Sequence, residues 1–101
     1  MKFLVIARPR QNQQGMTSAM VEASKEIANR YVKSGIDDCL FAIADGIGGS
    51  CGIMNADSGE ALVELLQNVP AVPFMEVQTY LLADFNKVVD KLIEGMKKQR
   101  L

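Results

Sequence analysis

Histidine is missing from the chain altogether. With it go the Ser-His-Asp and Cys-His arrangements, the common zinc sites and the side chain most often used as a general base near neutral pH. Cysteine is scarce, and two residues, Cys39 and Cys51, are too few for the disulfide framework of a small secreted domain. No apolar run is long enough for a membrane span or a signal-peptide core. The opening "FLVIA" (3–7) is a buried strand instead, and the expected compartment is the cytoplasm. An excess of charge of one sign is missing too. Eleven Lys and Arg against 12 Asp and Glu give a net charge of −1, with no long-range pull toward nucleic acid or a membrane surface.

What remains is ordinary for a soluble globular protein: 49% hydrophobic and 23% charged over 101 residues, enough for one domain spanning 1–101 and too little for two. Residues 2–7 read as a strand, followed by a polar loop, "RQNQQG" (10–15). From Met16 the period becomes helical through Met20, Ala23, Ile27 and Tyr31, with Thr17 or Ser18 as cap and Gly35 as terminator. Two strand-length runs follow, "DCLFAIAD" (38–45) and "SCGIMNA" (50–56), joined by the flexible "GIGG" of a hairpin. A phosphate loop would need a helix directly after these glycines, and a strand follows instead.

The second helix is announced by Asp57, Ser58 and Glu60, spaced like a capping box, and by the stripe Leu62, Leu65, Leu66 and Val69. Pro70 and Pro73 end it. Residues 74–83 then alternate as a strand, with Met75, Val77 and Leu81 on one side and Phe74, Glu76, Gln78 and Tyr80 on the other. Asp84 caps a last helix with the stripe Phe85, Val88, Val89, Leu92, Ile93 and Met96, and the basic ending "KKQR" (97–100) complements its dipole. This β-α-β-β-α-β order plus one helix is the ferredoxin-like α+β pattern. Its helices cover one face of the sheet. Self-association through the other face, to a homodimer or a higher homo-oligomer, is the economical way to cover the apolar residues there.

Candidate chemistry gathers on the last strand. Glu76 facing a partly apolar cavity would have a raised pKa and could move protons, with Gln78 and Tyr80 orienting a carbonyl substrate. On a wet face it is a solvated or ion-paired carboxylate instead. Cys39 shares a strand side with Phe41 and Ile43, where a thiol behaves as a small buried hydrophobe rather than a nucleophile. Cys39 and Cys51 would not lie opposite one another across the hairpin, which disfavours a bond between them. Asp45 is a turn residue, and no cluster of metal-ligating side chains suggests a metal.

The segment "LVELLQNVPAVPFMEVQTYLL" (62–82) resembles the helix-to-last-strand signature of muconolactone Δ-isomerases, in which a leucine-rich helix runs into an "LP-x-x-P-[YF]-M" turn. The opening "MKFLV" suits that family's first strand, and the likeness covers most of residues 1–82. It implies a dimeric α/β barrel, two ferredoxin-like sheets face to face around an enclosed site. It also implies an isomerase that moves a proton and a double bond within a small lactone-like organic acid, without metal or organic cofactor. Glu76 becomes the candidate catalytic residue, and Cys39, Phe41, Phe74, Gln78 and Tyr80 the candidate ligand-binding set. Where the family's second strand carries an "R-H-L-W-R" segment, this chain has Asp38, Cys39, Leu40, Phe41 and Ala42. A non-catalytic dimeric binding or assembly module, keeping the scaffold without that site, is the alternative.

Overall fold

A computed structural model describes residues 1–10 and 15–99. The elements follow in the order β1 (Lys2–Pro9), α1 (Ser18–Ser34), β2 (Asp37–Ala42), β3 (Ser50–Asn55), α2 (Gly59–Gln67), β4 (Met75–Leu82) and α3 (Phe85–Lys98), with a 3-10 turn at Val72–Phe74. The strands form one sheet in the order β2-β3-β1-β4, every neighbour antiparallel. This is the ferredoxin-like arrangement expected from the sequence. Residues 11–14 of the expected polar loop and Arg100 of the basic ending lie outside the described residues.

Local signals place the helix ends. Thr17 accepts a hydrogen bond from the Met20 amide and opens α1, and Gly35 closes it at a φ of 81°. α2 is capped by Ser58, which accepts from the Ala61 amide; Asp57 stands one residue outside the helix, so the anticipated reciprocal box with Glu60 does not form. Asp84 caps α3 through the Lys87 amide, as expected. Between β2 and β3 the chain makes a seven-residue loop, 43–49, closed by the Ile43 amide on the Gly49 carbonyl. Gly49, at a φ of 112°, has no room for a side chain, because a Cβ there would lie 2.2 Å from the Ala7 carbonyl oxygen.

The strand limits differ from the sequence reading, by one residue at the start of β2 and the ends of β3 and β4, and more consequentially at three places. β1 runs on to Pro9, which pairs with Met75 at the sheet edge, and β2 ends at Ala42 rather than at 45. β4 starts at Met75, because Pro73 and Phe74 are taken up in the 3-10 turn. Phe74 therefore does not share a strand face with Glu76.

The pleat sorts β1 in two. Phe3, Val5 and Ala7 face the helices, opposite Met54, Gly52 and Ser50 of β3. Phe3, Val5, Met54, Ala56 and Leu62 are buried together, and Tyr31, Ile36, Leu65, Leu66 and Val77 pack around them. Leu4 and Ile6, one step out of phase, point to the other face and are only half-buried. α3 leaves this body as an arm. The molecule measures 62 × 30 × 23 Å, with a radius of gyration of 17.2 Å, against roughly 13 Å for a compact domain of this length. Phe85, Val88, Leu92, Ile93 and Met96, five of its six stripe residues, are exposed.

Candidate active site

α1 does not lie flush on the sheet. Between them, closed at one side by the end of α2 and the 3-10 turn, is a cavity of about 530 Å³. Its walls are Val5 and Ala7 of β1, Leu40 and Ala42 of β2, Met54 of β3, and aliphatic residues from α1 and the 66–75 segment. Two polar side chains on α1 hold the roof. The Tyr31 hydroxyl donates to the Leu65 carbonyl at 2.6 Å, and Ser24 donates to the Met20 carbonyl at 2.8 Å while accepting from the Ala71 amide at 2.9 Å. These bonds tie α1 to the segment beneath it and leave neither hydroxyl unpaired.

One carboxylate lines this apolar space. Asp37, the first residue of β2, is 5% exposed and lies opposite Met54 on the helix side of the sheet. Burial pushes its pKa up, the adjacent Asp38 charge adds to the effect, and the result is about 6 against an ordinary 3.8. Asp38 has the opposite surroundings. Lys2 and Asn55 both donate to its carboxylate at the exposed sheet edge, the Asn55 bond at 2.7 Å. Those bonds hold its pKa below the usual value.

A bulge makes the two neighbours differ. Asp37 is opposite Met54 and Cys39 is opposite Ile53, so two steps along β2 answer one step along β3. The extra residue, Asp38, reverses the alternation. Without it Asp37 would share a face with Cys39 and Phe41; with it, Asp37, Leu40 and Ala42 all face the helices. The strand expected from the sequence starts at Asp38, one residue after Asp37, and simple alternation carries no sign of this slip. An acidic pair at the head of an apolar strand was its one visible trace.

The residues expected to form the site gather elsewhere. Glu76, Gln78 and Tyr80 lie on the open face opposite Arg8, Ile6 and Leu4, and Cys39 and Phe41 join them beside Ile53 and Cys51. The Tyr80 hydroxyl donates to Gln78 at 3.4 Å. Glu76 is exposed. Arg8, its cross-strand neighbour, is turned to Asp45 at 2.7 Å and to the Gly48 carbonyl at 3.1 Å, which lowers the Asp45 pKa. Asp45 also accepts from the Ile47 and Gly48 amides and so serves the turn, as expected. Phe74 stands apart from the other five, its ring against Gly15. None of the six lines the cavity beneath α1. Both cysteines are free, and Cys39 and Cys51 are offset rather than opposite. Among the described residues no three Cys, Asp or Glu side chains come together as a metal site.

Known proteins resemble this chain in sequence and in shape. The muconolactone delta-isomerase family profile matches residues 1–87. The crystal structure of a muconolactone isomerase superposes with a TM-score of 0.67 at 25% identity, covering 83% of this chain and 90% of that one. A 5-chloro-2-hydroxyhydroquinone dehydrochlorinase from Burkholderia phenoliruptrix AC1100, in complex with 2,5-dihydroxybenzoquinone, superposes at 0.57 and 15% identity. That match covers 86% of this chain and 98% of the other, and it speaks to the fold alone. No curated protein matches the sequence.

Proposed function

Because the chain belongs to the muconolactone delta-isomerase family, we propose that it is a cofactor-independent isomerase that shifts a proton, and with it a double bond, within a small lactone-like carboxylic acid. The observation that carries this reading is the cavity beneath α1. At about 530 Å³ it is within the size range of small-molecule sites, and its largely apolar walls suit a flat ring. A proton shift inside one molecule needs no outside oxidant or hydride. It needs a group that takes a proton and returns it to another carbon while water is kept away.

The working form is a cytoplasmic homo-oligomer. The open sheet face, with Leu4, Ile6 and Ile53 half-buried and Phe41 and Tyr80 exposed, supports pairing with a second copy. Such pairing would also enclose the second location open to the same chemistry, Glu76 with Gln78, Tyr80, Cys39 and Phe41. Among the described residues no helix is long and apolar enough to cross a membrane.

The test is a panel of unsaturated five-membered lactone acids incubated with the protein in D2O and followed by proton NMR. Movement of the double bond with deuterium at the new C–H position is expected. Binding of those lactones with no isomerisation and no deuterium uptake would replace this reading with the non-catalytic binding or assembly module. That second reading draws on Asp38, Cys39 and Ala42 in the segment where the resemblance implies basic residues and a histidine.

A further inference from the structure

We propose that Asp37, not a residue of the open face, is the group that carries the proton, and that its substrate is a lactone bound in the cavity between α1 and the sheet. This inference rests on the isomerase reading and adds to it the site and the residue. Asp37 is more than nine-tenths buried and lines an otherwise apolar cavity. What acts on its acidity is burial and Asp38, and no hydrogen bond to its carboxylate is among the causes. Among the described residues no fully buried side-chain oxygen lacks a partner. The Asp37 carboxylate instead borders the open space of the cavity, and there it is placed to act on what fills that space.

The groups around it leave that role to Asp37. Tyr31 on α1 is committed to the Leu65 carbonyl. On β2, Asp38 is held outward by Lys2 of β1 and Asn55 of β3. Lys25 of α1 is the one cation among the described lining residues, and it is exposed at the rim. Cys51 of β3 also borders the cavity, yet its place opposite Ile6 directs its side chain to the open face. A substrate carboxylate turned outward to Lys25 leaves the ring inside, against Asp37. A lactone acid of the isomerase reading fits this arrangement with its acid group at the mouth of the cavity.

The step balances without a co-reactant. The Asp37 carboxylate takes a proton from the carbon beside the lactone carbonyl. An O–H bond forms, the C–H bond breaks, and its electron pair passes into a dienolate with the charge on the carbonyl oxygen. The neutral carboxyl then gives the proton to the far carbon of the dienolate, the carbonyl re-forms, and the double bond has moved. Asp37 ends as it began. A carboxyl that titrates near 6 is ionised at neutral pH and is a stronger base than a solvated aspartate.

The experiment compares the full chain with Asp37→Asn and Glu76→Gln, using α-angelica lactone and the lactone-acid panel as probes in D2O. For Asp37→Asn, kcat falls at least about 100-fold, with KM and the probe-induced NMR shifts of cavity residues little changed. A rise of kcat/KM through pH 6, expected of the wild type from the Asp37 pKa, is absent from the residual activity. Turnover within tenfold of wild type in Asp37→Asn, or a loss confined to Glu76→Gln, overturns the proposal. Failure of the broader reading shows separately, as a wild type that moves no proton on any probe. In that case the carbon-13 signal of the Asp37 carboxyl decides. A midpoint near 6 that moves when α-angelica lactone saturates the cavity supports the site, and a midpoint indifferent to the lactone overturns it.

Discussion

On the helix side of the sheet Phe3, Val5 and Met54 are buried, and the one carboxylate among them has its pKa pushed up to about 6. On the other side Leu4, Ile6 and Ile53, drawn from the same two strands, are half-buried, and Phe41 is 63% exposed. The strands are alike; the cover is not. An apolar run such as "FLVIA" supplies two faces that both favour burial, and this chain folds helices over only one. The covered face alone creates a low-dielectric space, so an acid there acquires unusual acidity. An acid on the other face, Glu76, is solvated until something is laid over it. Where chemistry can occur therefore depends on cover rather than on which residue types a strand carries.

The widest separation between the faces is expected from Leu62→Ala. Leu62 is 2% exposed at the centre of the core, and truncation leaves a cavity costing about 2–5 kcal/mol. Urea unfolding under conditions where the chain is monomeric measures it. Phe41→Ala in the same assay should cost well under half as much. Equal costs would break the comparison, since they would mean that the open face is already buried within one chain.

Next comes the pH dependence that Asp37 imposes on stability. Its folded pKa of about 6 lies above its ordinary 3.8, so between those values the folded chain keeps a proton that the unfolded chain has released. The contribution is fully present below 3.8 and fades as pH rises to about 6, by an amount on the order of 3 kcal/mol. Asp38 and Asp45, with lowered pKa values, act the other way and lose their contribution as the solution is acidified. Asp37→Asn should remove the decline between pH 4 and 6, leave the acid limb, and make the chain more stable than wild type at pH 7.5. Thermal melts across pH 3.5–8 read both limbs, and an unchanged slope would show that Asp37 is solvated.

The smallest effect sharpens the open face. Phe41→Ser should weaken self-association about tenfold, equivalent to roughly 1.4 kcal/mol, in sedimentation equilibrium, with secondary structure unaltered. An unchanged association constant would point to α3, whose stripe is also exposed, as the contact instead.

Much of the scaffold was legible in the sequence because its signals are local. Thr17, Gly35 and Asp84 mark helix ends by their own side-chain and backbone chemistry, and "VPAVPFM" (69–75) marks the passage from α2 to β4. Glu76, Gln78 and Tyr80 share one face of β4, as the sequence pattern implies, because alternation within one regular strand is also local. Phe74 fell outside that group once the 3-10 turn absorbed it.

Sequence by itself thus determined the order of the elements, their caps and the family signature, each of which depends on residues within one or two turns of chain. Tertiary structure decided which acid is buried and which surfaces are left bare. Asp37 faces the cavity because a bulge at Asp38, a property of the pairing between β2 and β3, shifts every residue before it to the opposite face. The stripe on α3 lies open because the direction in which β4 ends carries the helix away from the core, and no periodicity within the helix encodes that direction.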